Sequence, residues 1–597
     1  MSQQINPIAV KDVVLDLKSE IDFLVLRSGQ NISTQRYLAT SSSDSMHVYS
    51  VQVPSTSTVL SRNLQWHSQV SITLTGNVAP YEFLVNWYPV NQANNDIPVF
   101  GGDCLSAFPL SSLCTNMTAT INNTSVSVPL NRILNPLLRA IDRTEFEQYN
   151  GTTPTQLDTY GKTTDWLPQP ILNAGALAEP VISLQKPFIP AWNSPLNGGA
   201  YANLNNNQES RNAFYIDSIT GNDVGDGADG AVVARTVVIT FSVTEPLFLS
   251  PFLYGEKSGA GLSGISQINL TMNMDSKATR AINWLLSPTA LSTKSVQSVS
   301  YLNSYIDVTY YTPKVSDLIP AVIVTPLQSF TNYITPHNGV LADTESYAFT
   351  SNSIMLNSYP DKVFIWVEDA NKYDPTQGNR ISDSYATITN VNITLNNQTG
   401  ILSGYTQNAL YKASVMSGSK QRWSEFSGKI YDSGGSISSV EDVMPSCGSV
   451  LMLDFGSVIN IGADYLAPGS LSTAQFQIVV TATNNLKREI APQLNILMMY
   501  SGILSSSNGS SSAYTNGLLT KQNVLDASVS NSGLNTQSLK RYVGSGLLDS
   551  LKSVAKFVLP VAKNAMSGSD NQYAKMGSQA LGALGYGRKN ALMSKLY

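Results

Sequence analysis

The sequence of 597 residues is 42% hydrophobic, and 36 basic against 41 acidic residues leave a net charge of −5. Charged residues make up only 13% of the chain, about half of the ~25% found in ordinary soluble domains. This composition excludes a disulfide scaffold, because there are three cysteines, and a helical membrane protein, because no stretch approaches about 18 apolar residues.

The N-terminal 20 residues contain no basic segment followed by an apolar one, so we expect no secretory signal and a cytosolic protein with reduced thiols. Beyond them, most segments up to about residue 510 are rich in β-branched and aromatic residues and are separated by Asn, Gly and Pro turns. Alternating apolar and polar residues predict strands with one buried face, and so an all-β protein built of sandwiches. The clearest predicted strands are Val70–Thr75, Val233–Val243, Asp361–Val367, Ser449–Phe455 and Gln475–Ala482.

An internal repeat suggests that the sandwich is duplicated. Residues Met117–Ala140 and Ala386–Val415 both predict a strand, an Asn-Asn turn and an amphipathic helix, and Ser266–Thr271 resembles Ala474–Val479 in the same order. A chance similarity between strands of low complexity is the alternative. The break between the halves is expected near Thr312-Pro313, which predicts a first domain over residues 1–312 and a second over 313–510. The first would carry a long loop insertion, rich in Asn, Gly and Pro, at about 142–230.

The residues from 511 to 597 are predicted to form a flexible spacer and a basic tail. Composition suggests a flexible segment from Ser505 to Gly517, and Gly546–Pro560 has the apolar face of an amphipathic helix. From Lys540 onward the net charge is +7, against −12 for the rest of the chain. Such a tail could contact nucleic acid, an internal membrane or other subunits.

No catalytic, cofactor or metal site is expected from the sequence. Gly161–Thr164 resembles the end of a phosphate-binding loop, but position 156, where that motif needs Gly, is Gln. Asp223, Asp226 and Asp229 are spaced like calcium ligands, but the terminal Glu of a calcium-binding loop does not follow them. Structural roles are also expected for the carboxylates Glu145 and Glu147 and for the histidines His47, His67 and His337.

Several segments together resemble the double jelly-roll major capsid proteins of virophages and polinton-like viruses, particularly of the Mavirus type. The resembling segments are Ala107–Ile121, Thr244–Leu253, Leu395–Gly404, Arg422–Gly428, Arg541–Ser553 and Gly585–Gly587. The resemblance implies two tandem eight-stranded jelly rolls with short helices and a helical or disordered C-terminal tail. It also implies a structural protein, not an enzyme, that needs no cofactor.

The same resemblance implies a function. Three chains would form a pseudo-hexameric capsomer in the icosahedral shell of a double-stranded DNA virus, assembled in the host cytoplasm with penton and minor capsid proteins. A maturation protease would cleave the tail between Ser545 and Gly546, although Tyr542 stands where its site usually has Ile, Leu or Met. The tail could meet the genome or an inner membrane. A secreted carbohydrate-binding or carbohydrate-cleaving β-sandwich protein is the alternative.

Overall fold

The computed structural model describes most of two β-sandwiches and the connections that join them. It covers residues 31–78, 104–142, 145–146, 148–149, 151–154, 216–221, 233–252, 261–278, 280–283, 293–312, 323–373, 384–431, 443–461, 468, 471–486 and 489–514. In this part of the chain no helix is long and apolar enough to cross a membrane. Most of the predicted insertion, the basic tail, Ser545 and Gly546 lie outside the described residues.

The first sandwich consists of two antiparallel sheets. We call them sheet 1a, with strand order β1-β13-β5-β10-β9, and sheet 1b, with order β2-β3-β11-β7-β8. The strands are β1 (Asn31–Leu38), β2 (Ser41–Ser42), β3 (Met46–Gln52), β4 (Val59–Leu60), β5 (Gln65–Val78), β6 (Cys104–Leu105), β7 (Cys114–Ile121), β8 (Thr124–Val128), β9 (Ile216–Gly221), β10 (Val233–Pro246), β11 (Gln267–Met274), β12 (Ile282–Asn283) and β13 (Thr293–Thr312).

The second sandwich also consists of two antiparallel sheets. Sheet 2a has the order β14-β24-β17-β22, and sheet 2b has the order β15-β23-β18-β19. The strands are β14 (Ile323–Pro336), β15 (Ser346–Thr350), β16 (Ile354–Ser358), β17 (Lys362–Asp369), β18 (Thr387–Leu395), β19 (Gln398–Ile401), β20 (Lys429–Tyr431), β21 (Val443–Pro445), β22 (Leu451–Asp454), β23 (Leu471–Thr483), β24 (Pro492–Ser507) and β25 (Ser510–Tyr514).

Both sandwiches have the same jelly-roll topology. If the short additional strands are set aside, each has eight principal strands, and the first, eighth, third and sixth form one sheet while the second, seventh, fourth and fifth form the other. The all-β prediction of two tandem eight-stranded jelly rolls is therefore confirmed. Within each sandwich, inward side chains alternate with outward ones, as in Gln267–Met274, because successive residues of a strand point to opposite faces.

The repeated strand–turn–helix units occupy equivalent places. Asn122 and Asn396 both adopt the left-handed conformation, with φ of 51° and 53°, which Asn tolerates better than most residues. The N–H of Asn122 donates to Gln267 O, and that of Asn396 donates to Gln475 O. Each Asn turn therefore bonds to the equivalent residue of the second repeated segment in its own sandwich. A short strand, β8 or β19, separates each turn from its helix.

Four α-helices and one 3-10 helix lie in the connections of the described chain. They are α1 (Pro109–Leu113), α2 (Leu130–Leu138), the 3-10 helix Ala370–Tyr373, α3 (Gln407–Met416) and α4 (Trp423–Phe426). Helix α2 buries leucines and an isoleucine at spacings of three and four, as its apolar periodicity dictates. Helix α3 begins after Thr406, whose Oγ1 accepts the N–H of Ala409.

The prediction of a flexible spacer from residue 505 was wrong for residues 505–514. These residues end β24 and form β25, which pairs with β24 through Ile503 opposite Tyr514. The Ser/Gly-rich composition led to the prediction of a flexible segment. These residues instead form a β-hairpin, whose two strands are connected by a left-handed turn at Asn508 and Gly509. The second sandwich therefore extends past the expected limit of residue 510, at least to Tyr514.

Candidate functional site

The three histidines lie in separate aromatic clusters and form no shared site. His47 is buried, with its ring 4.5 Å from that of Tyr301, and burial lowers its pKa to about 4. His67 stacks on Tyr305, and His337 packs against Tyr347. Among the described residues, no group of three or more His, Cys, Asp or Glu side chains could hold a metal ion.

Cys114 and Cys447 are free, buried thiols in different sandwiches. Burial raises the pKa of both, to about 11 for Cys447, so neither has the thiolate character of a reactive cysteine. Several other sequence candidates lie outside the described residues: Gly161–Thr164, Asp223, Asp226, Asp229 and Glu147, as well as the possible cleavage site at Ser545 and Gly546.

An apolar junction joins the two sandwiches. Strands β17, β22 and β24 are buried on both faces. Their inward residues, such as Ile365, belong to the core of the second sandwich, whereas their outward apolar residues belong to the same core cluster as the first sandwich. The outward set includes Phe364, Trp366, Met452, Leu497 and Met499, and Val450, which directly precedes β22, belongs to the same cluster. The outer face of sheet 2a is thus a second apolar interface within one chain.

Helix α2 of the first sandwich lies at this junction. The Tyr385 hydroxyl donates to Asn135 Oδ1 at 2.9 Å, and the same oxygen accepts from Arg139 at 3.0 Å. Tyr385 in turn packs edge to face with Trp366, at a centroid distance of 6.5 Å. At the end of α2, Arg139 O accepts the N–H of Lys420 at 2.8 Å. These bonds orient α2 over the apolar face of sheet 2a.

A buried ion pair, Glu368 with Lys372, lies at the same face. Oε1 of Glu368 also accepts from Gln493 at 2.8 Å and from Asn495 at 3.0 Å. Burial would raise the pKa of Glu368, but Lys372 and its other partners hold it below its ordinary value. Burial lowers the pKa of Lys372 to about 8, against the opposing effect of Glu368. The pair is therefore charged, and its desolvation is offset only because each ion is partnered.

The β24–β25 hairpin fastens the second sandwich to the first. Ser511 Oγ donates to Ile121 O, and its N–H donates to Asn123 Oδ1, while Ser506 Oγ donates to Ser263 O at 2.7 Å. Gly264 lies against this hairpin with φ of +73°, and a Cβ there would lie 3.1 Å from the backbone of Ser507. Glycine is required at position 264 both by its backbone conformation and by this close approach.

A buried carboxylate positions helix α1 inside the first sandwich. Glu245 accepts the N–H groups of Leu110 and Ser111 at 2.9 and 2.7 Å, and the Thr153 hydroxyl at 3.0 Å. Burial raises its pKa to about 7, although these hydrogen bonds act in the opposite direction. This carboxylate satisfies the free N–H groups at the start of α1.

Sequence reasoning identified none of these junction residues. The sequence of β17, KVFIWVED, did indicate that this strand is covered on both faces. Its five central residues are apolar without alternation, as expected for a strand that is buried on both sides. The serines of the hairpin gave no comparable signal, because their partners lie 243 residues earlier for Ser506 and 390 residues earlier for Ser511.

Known proteins share this arrangement of two sandwiches. Residues 3–175 and 187–312 match the family model of the Sputnik virophage major capsid protein first domain, and residues 330–502 match that of the major capsid protein V20 C-terminal domain. The chain belongs to the Sputnik virophage major capsid protein family. It is therefore a viral structural protein of the virion shell and not an enzyme, and this decides against the carbohydrate-binding alternative.

Individual relatives agree with the assignment of this capsid protein. It is 26% identical over 611 residues to the putative capsid protein V20 of Sputnik virophage, which covers 98% of this chain and 94% of that one. A chain in the 3.5 Å cryo-EM structure of the Sputnik virophage superposes with a TM-score of 0.66 at 26% identity, covering 91% and 99% of the two chains. The mavirus major capsid protein crystal structure, at 13% identity, TM-score 0.59 and coverage of 90% and 100%, shows the same fold.

Proposed function

We propose that three copies of this chain form a pseudo-hexameric capsomer of an icosahedral shell around double-stranded DNA. The observation that carries the proposal is the identical strand order of the two sandwiches. Two equivalent units per chain give six per trimer, so three chains can occupy a near-sixfold position. Closed rings of repeated interfaces are the usual architecture of stable homo-oligomers.

The test is the mass and shape of the purified full-length chain. Light scattering after size exclusion should give three times 64.4 kDa, and negative-stain class averages should show rings of six lobes. A monomer, a dimer or a ring with another number of lobes would overturn the trimer. The fold and the family assignment do not depend on this outcome.

For the chain organisation, we propose a first jelly roll within residues 1–312, with its insertion at about 142–230, and a second from residue 313. The revised limit of the second is at least Tyr514, and the basic tail follows. Penton and minor capsid proteins would meet the assembled capsomers, and assembly would take place in the host cytoplasm. Support comes from the family match, which covers most of both sandwiches.

We further propose that the tail faces the shell interior, towards genome or inner membrane, and that a maturation protease cleaves it between Ser545 and Gly546. Support comes from the net charge of +7 and from glycines at 544 and 546. Intact mass of the protein from purified particles should lack the last 52 residues. Co-expression with the viral protease should cleave the wild type but not Gly544→Val. A full-length chain in mature particles would contradict the cleavage.

A further inference from the structure

A groove lies between β8 of the first sandwich and β14 of the second. Its volume is about 360 Å³, within the ~300–1,000 Å³ of cavities that hold ligands. The polar residues that line it include Ser125, Ser127 and Ser250, and the apolar ones include Val126, Leu327, Phe330 and Ala513. Val126, Phe330 and Ala513 are only partly buried, so the groove leaves part of the apolar junction open.

The edge of β8 that borders the groove has no neighbouring strand in the described chain, because β8 ends the order of sheet 1b. The N–H of Asn122 donates to Gln267 O in β11. Since bonding alternates along an antiparallel strand, Ile121 bonds instead to β8, through Thr124 opposite it. Ser125 and Ser127 therefore direct their N–H and C=O groups away from β7, towards the groove.

The edge of β14 is protected, in contrast to that of β8. The N–H of Gln328 points away from β24 and donates to Ser250 Oγ at 2.9 Å. Pro326 and Pro336 lie at the same edge of β14 and have no N–H to donate. Proline and side-chain capping are the usual means of preventing a further strand from pairing with an edge. Of these two strands, β8 is the one that can accept an added strand.

The chain that follows Tyr514 starts beside this groove, because Ala513 lines it. Strand β25 occupies one side of β24 from Ser507 to Ile503, and β17 occupies the same side from Met499 onward. The other side of β24 is paired with β14 along its length. The chain must therefore leave β24 within a few residues of Tyr514, at the groove.

The sequence after Tyr514 contains a segment suited to an open strand edge. Residues 525–530, LDASVS, alternate apolar and polar side chains, which is typical of a strand with one buried face. Strand β8 has the same alternation, with Ser125 and Ser127 exposed and Val128 buried. Asn516-Gly517 is a turn sequence. The ten residues from 515 to 524 span up to about 33 Å, which is ample for a return to β8.

We propose that residues 525–530 of the same chain add a strand to the edge of β8 and fill this groove. Addition of a strand to an exposed sheet edge is a common mode of peptide binding. The apolar residues of the segment pack on the floor of the groove, and its polar residues lie on the outer face beside Ser125 and Ser127. The added strand seals the junction and fixes the point from which the basic tail departs. It precedes Ser545, so cleavage of the tail would leave it in place.

Hydrogen exchange of full-length protein tests the pairing. Val529→Asp places a charge on the apolar side of the segment, and the matched control Ser528→Asp places it on the polar side. Peptides that cover residues 124–128 should exchange slowly in the wild type and in the control. In Val529→Asp their exchange should be at least about 10-fold faster, because the amides of Ser125 and Ser127 lose their partners. Fast exchange in the wild type, or equal rates in all three proteins, would overturn the proposal.

Cysteine pairs identify which chain supplies the strand. Ser127→Cys is combined in turn with Asp526→Cys, Ser528→Cys and Ser530→Cys, which together cover the registers that keep these side chains on one face. At least one pair should form a disulfide within a single chain on mild oxidation, since neighbouring strands bring Cβ atoms within range. Ser127→Cys with Ala527→Cys, on opposite faces, is the control and should form none. Disulfides between two chains, or none in any of the three pairs, would overturn the proposal.

Discussion

The outer faces of sheets 2a and 1a differ although the strand order is the same. Sheet 2a turns Phe364, Trp366 and Leu497 outward and buries them against the first sandwich, whereas the outward residues Thr73, Thr240 and Tyr305 of sheet 1a are only half-buried. The chain always carries the partner of sheet 2a, so that face can be as apolar as a core. The outer face of sheet 1a carries mainly polar side chains among the described residues, and a large apolar patch there would promote nonspecific association.

Paired aromatic truncations should give the largest difference between the two faces. Trp366→Ala removes a fully buried side chain and should lower the free energy of unfolding by about 3–5 kcal/mol, as large-to-small core changes do. Tyr305→Ala on the exposed face should lower it by less than about 1 kcal/mol. Urea unfolding of the two variants and the wild type checks this. Equal losses would mean that sheet 1a is also covered within the chain.

The two ion pairs provide a second contrast. Lys372→Met removes the cation paired with the buried Glu368 and should destabilise the chain by about 3–5 kcal/mol. Arg36→Met breaks the solvent-screened pair of Arg36 with Asp307 and should leave the thermal midpoint almost unchanged. Thermal unfolding at one pH and salt concentration compares them. The double variant Glu368→Gln/Lys372→Met should recover part of the loss, and a double variant as unstable as Lys372→Met would contradict the charge explanation.

Glu245 extends the comparison to the buried face of sheet 1a. Its folded pKa of about 7 lies above the ordinary value of 4.5, so the associated stability is fully present below pH 4.5 and is lost as the pH rises to about 7. The wild type should therefore lose roughly 3 kcal/mol relative to Glu245→Gln over this window. Urea unfolding of both proteins at intervals between pH 4 and 8 measures the difference, and a constant difference would exclude a protonated Glu245.

The smallest effect is expected at the hairpin that fastens sheet 2a to the first sandwich. Ser511→Ala leaves Ile121 O without the hydroxyl donor and should cost about 1 kcal/mol. Ser512→Ala, at the exposed neighbouring position, is the control and should leave stability unchanged. Differential scanning calorimetry of the two variants distinguishes them. Identical midpoints would show that the hairpin contributes nothing to the junction.

Local patterns predicted the sandwiches but not the junction. Alternation in Gln475–Ala482 and the Asn-Asn turns at 122 and 396 depend on neighbours in the chain, so strands, hairpins and the duplication could be inferred from sequence. The contacts of Tyr385 with Asn135, and of Ser511 with Ile121, join residues 250 and 390 positions apart. Hydrophobic periodicity reports only on residues that are close in the sequence, so it cannot reveal contacts between residues this far apart. For this reason Ser511 was predicted to lie in a flexible spacer.

The position of β24 in the chain has a consequence for biosynthesis. It is the last principal strand to be made, yet it lies between β14 and β17 in sheet 2a. A ribosome adding ~5–20 residues per second needs on the order of 10 s to proceed from β17 to β24. During that interval Trp366 and Phe364 lack their neighbouring strand, and the nascent chain must reach Tyr514 before its apolar sheet is complete. Emergence of this strand sets the earliest moment at which a newly made subunit is ready for its neighbours.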